Sequence, residues 1–253
     1  MDVSRVSDYR LALRGLSDWD TYLLEHSGLP GPRGNIELGL AAADEASPER
    51  IQAWLASDGV RAPTGTPEEF LAFCGVLGLG RLAADGDVLA LERLQENASD
   101  ERWRVREAVA MAVQRIADDD FDKALAVVER WARGGWMEQR AAVAALCEPR
   151  LLTTQERTTA VLDLLDMVTK ALTTAVGEDR RSADYRTLRQ GLGYCWSVAV
   201  AADPKAGRSR MERWIGSADD DVRWVMRNNL SKQRLQRMDH VWVEAQQKRL
   251  TIT

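Results

Sequence analysis

Cysteine, histidine and lysine are scarce in this chain: of 253 residues, three are cysteine, two histidine and five lysine. Cys74, Cys147 and Cys195 are odd in number, widely spaced and set among apolar neighbours. That pattern excludes a disulfide framework and points to buried thiols in a reducing compartment. His26 and His240 have no companions at the spacing of a metal site or a Ser-His-Asp triad, so no metal is expected. The longest uncharged stretches, 70–80 and 190–202, fall short of the roughly 20 apolar residues of a membrane span. No basic region followed by an apolar stretch marks a signal peptide near Met1. The expectation is a cytoplasmic protein with no membrane partner.

Glycine-rich phosphate-binding patterns are also missing. Gly75, Gly78 and Gly80 follow no strand, so they read as points of close helix packing rather than as a dinucleotide loop, and no cofactor is expected. With seven prolines, 45% hydrophobic and 29% charged residues, collagen, mucin and a long disordered tail are excluded.

Charge is abundant and unevenly placed. Residues 1–100 hold 17 acidic and eight basic side chains, a net of −9, whereas 180–253 hold eight acidic and 15 basic ones, a net of +7. The C-terminal third is fitted to attract an anion such as nucleic acid, and the N-terminal third to repel one. The alternative is that the two ends attract each other or a protein partner.

Apolar residues recur at helical spacing almost throughout, and no alternating strand pattern is evident. Helices are expected near 5–14, 17–26, 35–45, 48–57, 67–83, 87–97, 100–117, 120–133, 136–148, 154–176, 182–202, 204–215, 219–232 and 237–250. Ser47-Pro48-Glu49 and Asp203-Pro204 are start signals, and Thr66-Pro67-Glu68-Glu69 and Thr153-Thr154-Gln155-Glu156 fit the capping box. Short connections imply antiparallel or sharply angled neighbours.

A repeat runs through this pattern. Asp100-Glu101-Arg102-Trp103-Arg104-Val105-Arg106 and Asp221-Val222-Arg223-Trp224-Val225-Met226-Arg227 share Asp-x-Arg-Trp-x-x-Arg, and Glu-Arg-Trp occurs at 101–103, 129–131 and 212–214. The two best copies stand about three periods of ~40 residues apart, a spacing typical of paired-helix repeats. In such an array the Asp caps the second helix, Val105, Ala108, Val109, Ala112 and Val113 face the stack, and each pair is buried only by its neighbours. The fold class read from this is all-α, an α-solenoid of stacked antiparallel helix pairs. It is expected as one domain over 1–253, less regular in 1–85 and clearer in 86–253.

Asp100 to Ala110 resembles a HEAT repeat. More narrowly, the chain is similar to bacterial HEAT-like repeat proteins, among them the alkylpurine DNA glycosylases. The resemblance implies a concave basic groove that cradles DNA, with aromatic side chains and a carboxylate stabilising the charge of an alkylated nucleotide. No residue of this chain is matched to a catalytic role.

The leading candidates for ligand or nucleic-acid binding are Arg102, Trp103, Arg106, Arg223, Trp224 and Arg227. Arginine binds phosphate bidentately and tryptophan offers a stacking face. Arg102 with Arg106, and Arg223 with Arg227, each share one helix face at i and i+4. The competing reading packs Trp103 and Trp224 between helices, capped by Asp100 and Asp221, and leaves one Arg of each pair on the concave surface. Arg140 and Arg189 could extend the stripe. Arg33, in Leu29-Pro30-Gly31-Pro32-Arg33-Gly34-Asn35 beside a helix start, is a weaker anion-site candidate. The function expected is a non-enzymatic binding protein that engages a protein or nucleic acid on its concave face. Alkylpurine DNA glycosylase is the alternative, and oligomeric state is left open.

Overall fold

The computed structural model describes residues 3–252, with side chains over 4–251. The described residues are all-α with no strand, and they form two compact units divided at Asp120 and Phe121. In the first unit lie α1 (Val3–Arg14), α2 (Trp19–His26), α3 (Ile36–Glu45), α4 (Pro48–Leu55), α5 (Glu69–Ala84), α6 (Val88–Asn97) and α7 (Trp103–Asp119). In the second lie α8 (Phe121–Trp131), α9 (Trp136–Leu146), α10 (Gln155–Thr174), α11 (Ala183–Ala202), α12 (Pro204–Ile215), α13 (Asp220–Leu230) and α14 (Gln233–Ile252), with short 3-10 turns at Pro149–Leu151 and Asp179–Arg181. Each expected helix is present with its ends within four residues. The last differs most: α14 starts at Gln233 and is broken at Asp239, whose φ of −165° leaves the helical region while its carboxylate caps Trp242 N at 2.9 Å.

Caps explain most of the starts. Asn35, Ser47, Thr154 and Asp203 each accept a hydrogen bond from a first-turn backbone N–H. Thr66 does not cap as expected: its hydroxyl donates to Pro63 O, and α5 begins three residues later at Glu69. Glu69 turns inward instead of solvating its helix end and pairs with Arg104 of α7.

In the first unit the odd-numbered helices pack in succession, α1 on α3, α3 on α5 and α5 on α7, with α4 and α6 flanking α5. The second unit repeats the scheme, with α9, α11 and α13 in succession and α10 and α12 against α11. α5 and α11 are therefore the central helices, and both are rich in small residues. A Cβ on Gly80 would lie 2.7 Å from the Ala112 Cα, so glycine is what lets α5 and α7 touch backbone to backbone; Gly78 makes room for the side chain of Ile51 of α4. The close-packing reading of these glycines holds.

Arginines tie the layers of the first unit. The C-terminal end of α3 carries Asp44 and Glu45, which gather Arg10 and Arg14 from α1 and Arg115 from α7, while Arg81 of α5 donates to the carbonyls of Asp44 and Ala46. Four cations on one helix C-terminus also suit its dipole.

Candidate functional site

The Asp-x-Arg-Trp-x-x-Arg copies do not occupy equivalent places. Trp103 is the first residue of α7, whereas Trp224 is the fifth of α13. The two copies therefore meet different surroundings, and the expected caps fail in both. Asp100 precedes α7 and grips Arg102 through Nε at 2.9 Å and Nη2 at 2.7 Å. The cap of α13 is Asp219, which frees Asp221 for other partners.

Arg102 is only 4% exposed and also donates to Ser57 O at 2.9 Å, so its guanidinium is enclosed by protein. The Asp100 hydrogen bond holds its pKa above the ordinary value, although burial works the other way. Arg106 bends back to the carbonyls of Asp100 and Glu101 at 2.6 and 2.8 Å. Trp103, expected to pack between helices, is 44% exposed, because the first position of a helix precedes the stripe that faces the stack. Arg104 stacks on its ring at 4.4 Å, and Arg104 itself points inward to Glu69.

In the second unit the structure does bring candidates together. Arg189 of α11 lies 4.5 Å over the Trp224 ring and forms an ion pair with Asp221. Asp221 also accepts from the Tyr185 phenol at 2.8 Å and from Arg180 at 3.2 Å. Burial would raise the Asp221 pKa, but the hydrogen bonds from Tyr185 and Arg189 and the nearby cations outweigh it and hold the carboxyl below its ordinary value. The same arrangement pushes the Tyr185 phenol up, through burial first and Asp221 second. Trp224 is half-buried against Gly193, where a Cβ would come within 3.2 Å of its ring. Trp224 thus packs from α13 against α11, half-buried rather than enclosed. Arg223 donates to Leu250 O at 2.6 Å, Arg140 runs half-buried past Gly191 of α11, and Arg227 is exposed. Arg33 is exposed on the loop between α2 and α3.

Tryptophan follows a different repeat. Trp54, Trp131 and Trp214 each fall in the last two residues of an even-numbered helix, α4, α8 and α12. Carboxylates beside indoles are taken up between helices: Trp54 donates to Asp20 at 2.8 Å, Trp214 to Asp166 at 2.6 Å and Trp242 to Glu212 at 2.7 Å.

A cavity of about 600 Å³ opens in the second unit. Its walls are Tyr194 of α11, Lys232 of the turn before α14, and Gln233, Arg234 and Arg237 at the start of α14; its apolar part is Pro149, Leu152, Val198, Ala201 and Ala202. Arg234 stacks over the Tyr194 ring at 4.6 Å and donates to its phenol oxygen, and Lys232 stands 6.0 Å from the same ring. Arg237 reaches only the Gln233 amide, at 3.4 Å. Three cations therefore line one cavity with no carboxylate among its walls. Elsewhere in this unit Arg180, Arg189, Arg208, Arg210 and Arg213 are each paired with an aspartate.

These cavity residues are not among the sequence candidates. The signal for them is the acid-free stretch 222–238, which holds Arg223, Arg227, Lys232, Arg234 and Arg237 between Asp221 and Asp239. The thiols offer no nucleophile: Cys74, Cys147 and Cys195 are buried and unpaired, and burial pushes Cys74 and Cys147 well up. Among the described residues no group of three or more metal-donor side chains occurs, and no helix is long and apolar enough to cross a membrane.

No protein-family model matches the chain, and no curated protein matches it. Among solved structures, the crystal structure of an engineered protein is similar at 15% identity, over 91% of this chain and 97% of that one. Its TM-score of 0.35 is too low to carry an argument about the fold.

Proposed function

We propose that the protein is a non-catalytic helical-repeat protein of HEAT-like type that holds nucleic acid, through its phosphodiester backbone, on the basic second unit. The succession of odd-numbered helices flanked by even-numbered ones supports the paired-helix array. One observation carries the function: Lys232, Arg234 and Arg237 line a single cavity without a carboxylate, in a unit where Arg180, Arg189 and Arg210 are each neutralised by an aspartate. Uncompensated cations in a concavity raise the local concentration of an anion. The unit as a whole, 121–253, carries 22 basic and 17 acidic residues, against 12 and 22 in 1–120, so the attraction is confined to one unit.

Binding is favoured over base excision because Asp20, Asp166 and Glu212 are engaged by indole N–H groups, and the pocket where Asp18 and Glu49 do stand open beside Trp19 and Trp54 lies in the acidic first unit, which repels DNA. An alkylated base would need such a group open beside an aromatic face.

The test is fluorescence anisotropy with labelled duplex and single-stranded DNA at low and at physiological salt. Affinity should fall steeply with salt, and replacing Lys232, Arg234 and Arg237 together by Gln should flatten that dependence by roughly one unit per lost phosphate contact. Salt-independent binding, or none at low salt, would remove the proposal.

A further inference from the structure

The cavity is two-sided, and this asymmetry speaks to what enters it. Pro149, Leu152, Val198, Ala201 and Ala202 make one side apolar, while the other presents two guanidiniums, an ammonium and the Gln233 amide. A bare duplex backbone would use the cations and leave the apolar side wet. The ligand that uses both sides is an amphiphilic anion.

Two features narrow its chemistry. The cationic charge exceeds what a single carboxylate needs and suits a phosphate, which arginine grips bidentately. The apolar side joins Val198, Ala201 and Ala202 near the end of α11 to Pro149 and Leu152 of the turn after α9, so it is shallow, with two alanines in its surface. Such a shelf fits a flat ring system better than a long acyl chain, which needs a deep channel to leave water. Gln233 stands with the cations, where its amide nitrogen adds one further donor for the ligand while its oxygen accepts from Arg237. A volume of about 600 Å³ is within the range of small-ligand sites.

We infer that this cavity binds one unstacked nucleoside phosphate, with its phosphate on Arg234, Lys232 and Arg237 and its base on the apolar shelf. The inference rests on the nucleic-acid reading for one of its two sources, an unpaired nucleotide within a strand; the other source is a free mononucleotide. Tyr194 is a positioning residue. Its ring and phenol oxygen fix the Arg234 guanidinium in place, so less freedom is lost when the phosphate arrives. At 44% exposure Tyr194 contributes little to the core, which makes it a clean point of intervention.

The experiment is calorimetric titration of the full chain with adenosine 5′-monophosphate, adenosine, ribose 5-phosphate, oligothymidylate and a blunt duplex. Adenosine 5′-monophosphate should bind at least about tenfold tighter than adenosine or ribose 5-phosphate, since each half-ligand uses one side of the cavity only. Tyr194→Leu and Arg234→Gln should each weaken the nucleotide by about tenfold, with Tyr194→Phe falling between because it keeps the ring under the guanidinium. Arg130→Gln, exposed on α8 and outside the cavity, should leave it unchanged, and melting curves check that each variant is folded. Equal affinity for ribose 5-phosphate and the nucleotide, or no effect of either Tyr194→Leu or Arg234→Gln, would overturn the inference. Salt-sensitive duplex binding with no nucleotide binding would sink the cavity assignment while leaving the proposed function standing. Nucleotide binding with no strand binding at any salt would do the reverse and identify the free mononucleotide as the source.

Discussion

Glu69 and Arg104 form an ion pair at 3.1 Å in which the Glu69 side chain is fully excluded from solvent and that of Arg104 is 9% exposed. Glu69 also accepts from Gly65 N at 2.7 Å, and Arg104 donates to Gly31 O at 2.8 Å. One buried pair thus joins the start of α5, the start of α7 and the loop before α3. Glu69 Oε1 and Arg104 Nε remain without a hydrogen bond, so the pair is only partly compensated for its desolvation.

Breaking this pair on one side should be costly. Arg104→Met leaves a buried carboxylate unpaired and should lower unfolding free energy by about 3–5 kcal/mol, whereas the double variant Glu69→Leu with Arg104→Met should recover most of the loss. Urea unfolding of the single and double variants measures both. A double variant as unstable as Arg104→Met would mean that the backbone contacts to Gly31 and Gly65 matter more than the charges.

The two kinds of tryptophan should behave differently on truncation. Trp131 is 1% exposed, and Trp131→Ala should cost about 3–5 kcal/mol, as for other emptied core sites. Trp103 is 44% exposed, and Trp103→Ala should cost only about 1 kcal/mol, from the smaller apolar area it removes from water. Thermal melts of the two variants separate them; equal losses would place Trp103 in the core after all.

Asn229 is fully buried and makes three hydrogen bonds: its amide nitrogen donates to Leu192 O and Val225 O, both at 2.8 Å, and its oxygen accepts from Ser197 N at 2.8 Å. It binds the backbone of α11 to α13 where apolar contact alone would leave sliding unopposed. Asn229→Leu roughly matches the volume, removes these three bonds, which are additional to the helical ones, and should cost about 2 kcal/mol. Denaturation would show this as a lower midpoint, and an unchanged midpoint would mean that water or neighbouring groups replace the amide.

Acid should weaken the first unit through Glu45. Hydrogen bonds from Arg14 and then Arg10, with their charges, outweigh burial and bring the Glu45 pKa from an ordinary 4.5 to about 2. A carboxyl lowered in the fold contributes stability that is present above its unfolded value and lost as pH falls through the folded one. The denaturation midpoint of the wild type should therefore drop between pH 4.5 and 2. Glu45→Gln should make that drop shallower, and identical pH profiles for the two proteins would show that this pair adds nothing to stability.

What was legible in the sequence alone is the local part of the structure. The fourteen helix positions follow from apolar spacing and from caps such as Asn35, Ser47 and Asp203, because helix hydrogen bonds and capping act within four residues of chain, although the capping box read at Thr153 is displaced by one residue to Thr154. The close approach at Gly80 was legible for the same reason, since a missing Cβ is a property of one residue. Only the tertiary structure decided which side chains are spent. Arg102 and Arg227 hold the same kind of charge in similar motifs, yet one is enclosed by Asp100 and Ser57 and the other is exposed. Their motifs start α7 and α13 at different phases, and a shift of four residues changes what each side chain meets across the packing. Likewise Tyr194 and Arg234 are 40 residues apart, and no spacing rule joins them. They meet because α11 and α14 pack together, and burial, pairing and the shape of a cavity are properties of that packing rather than of either segment.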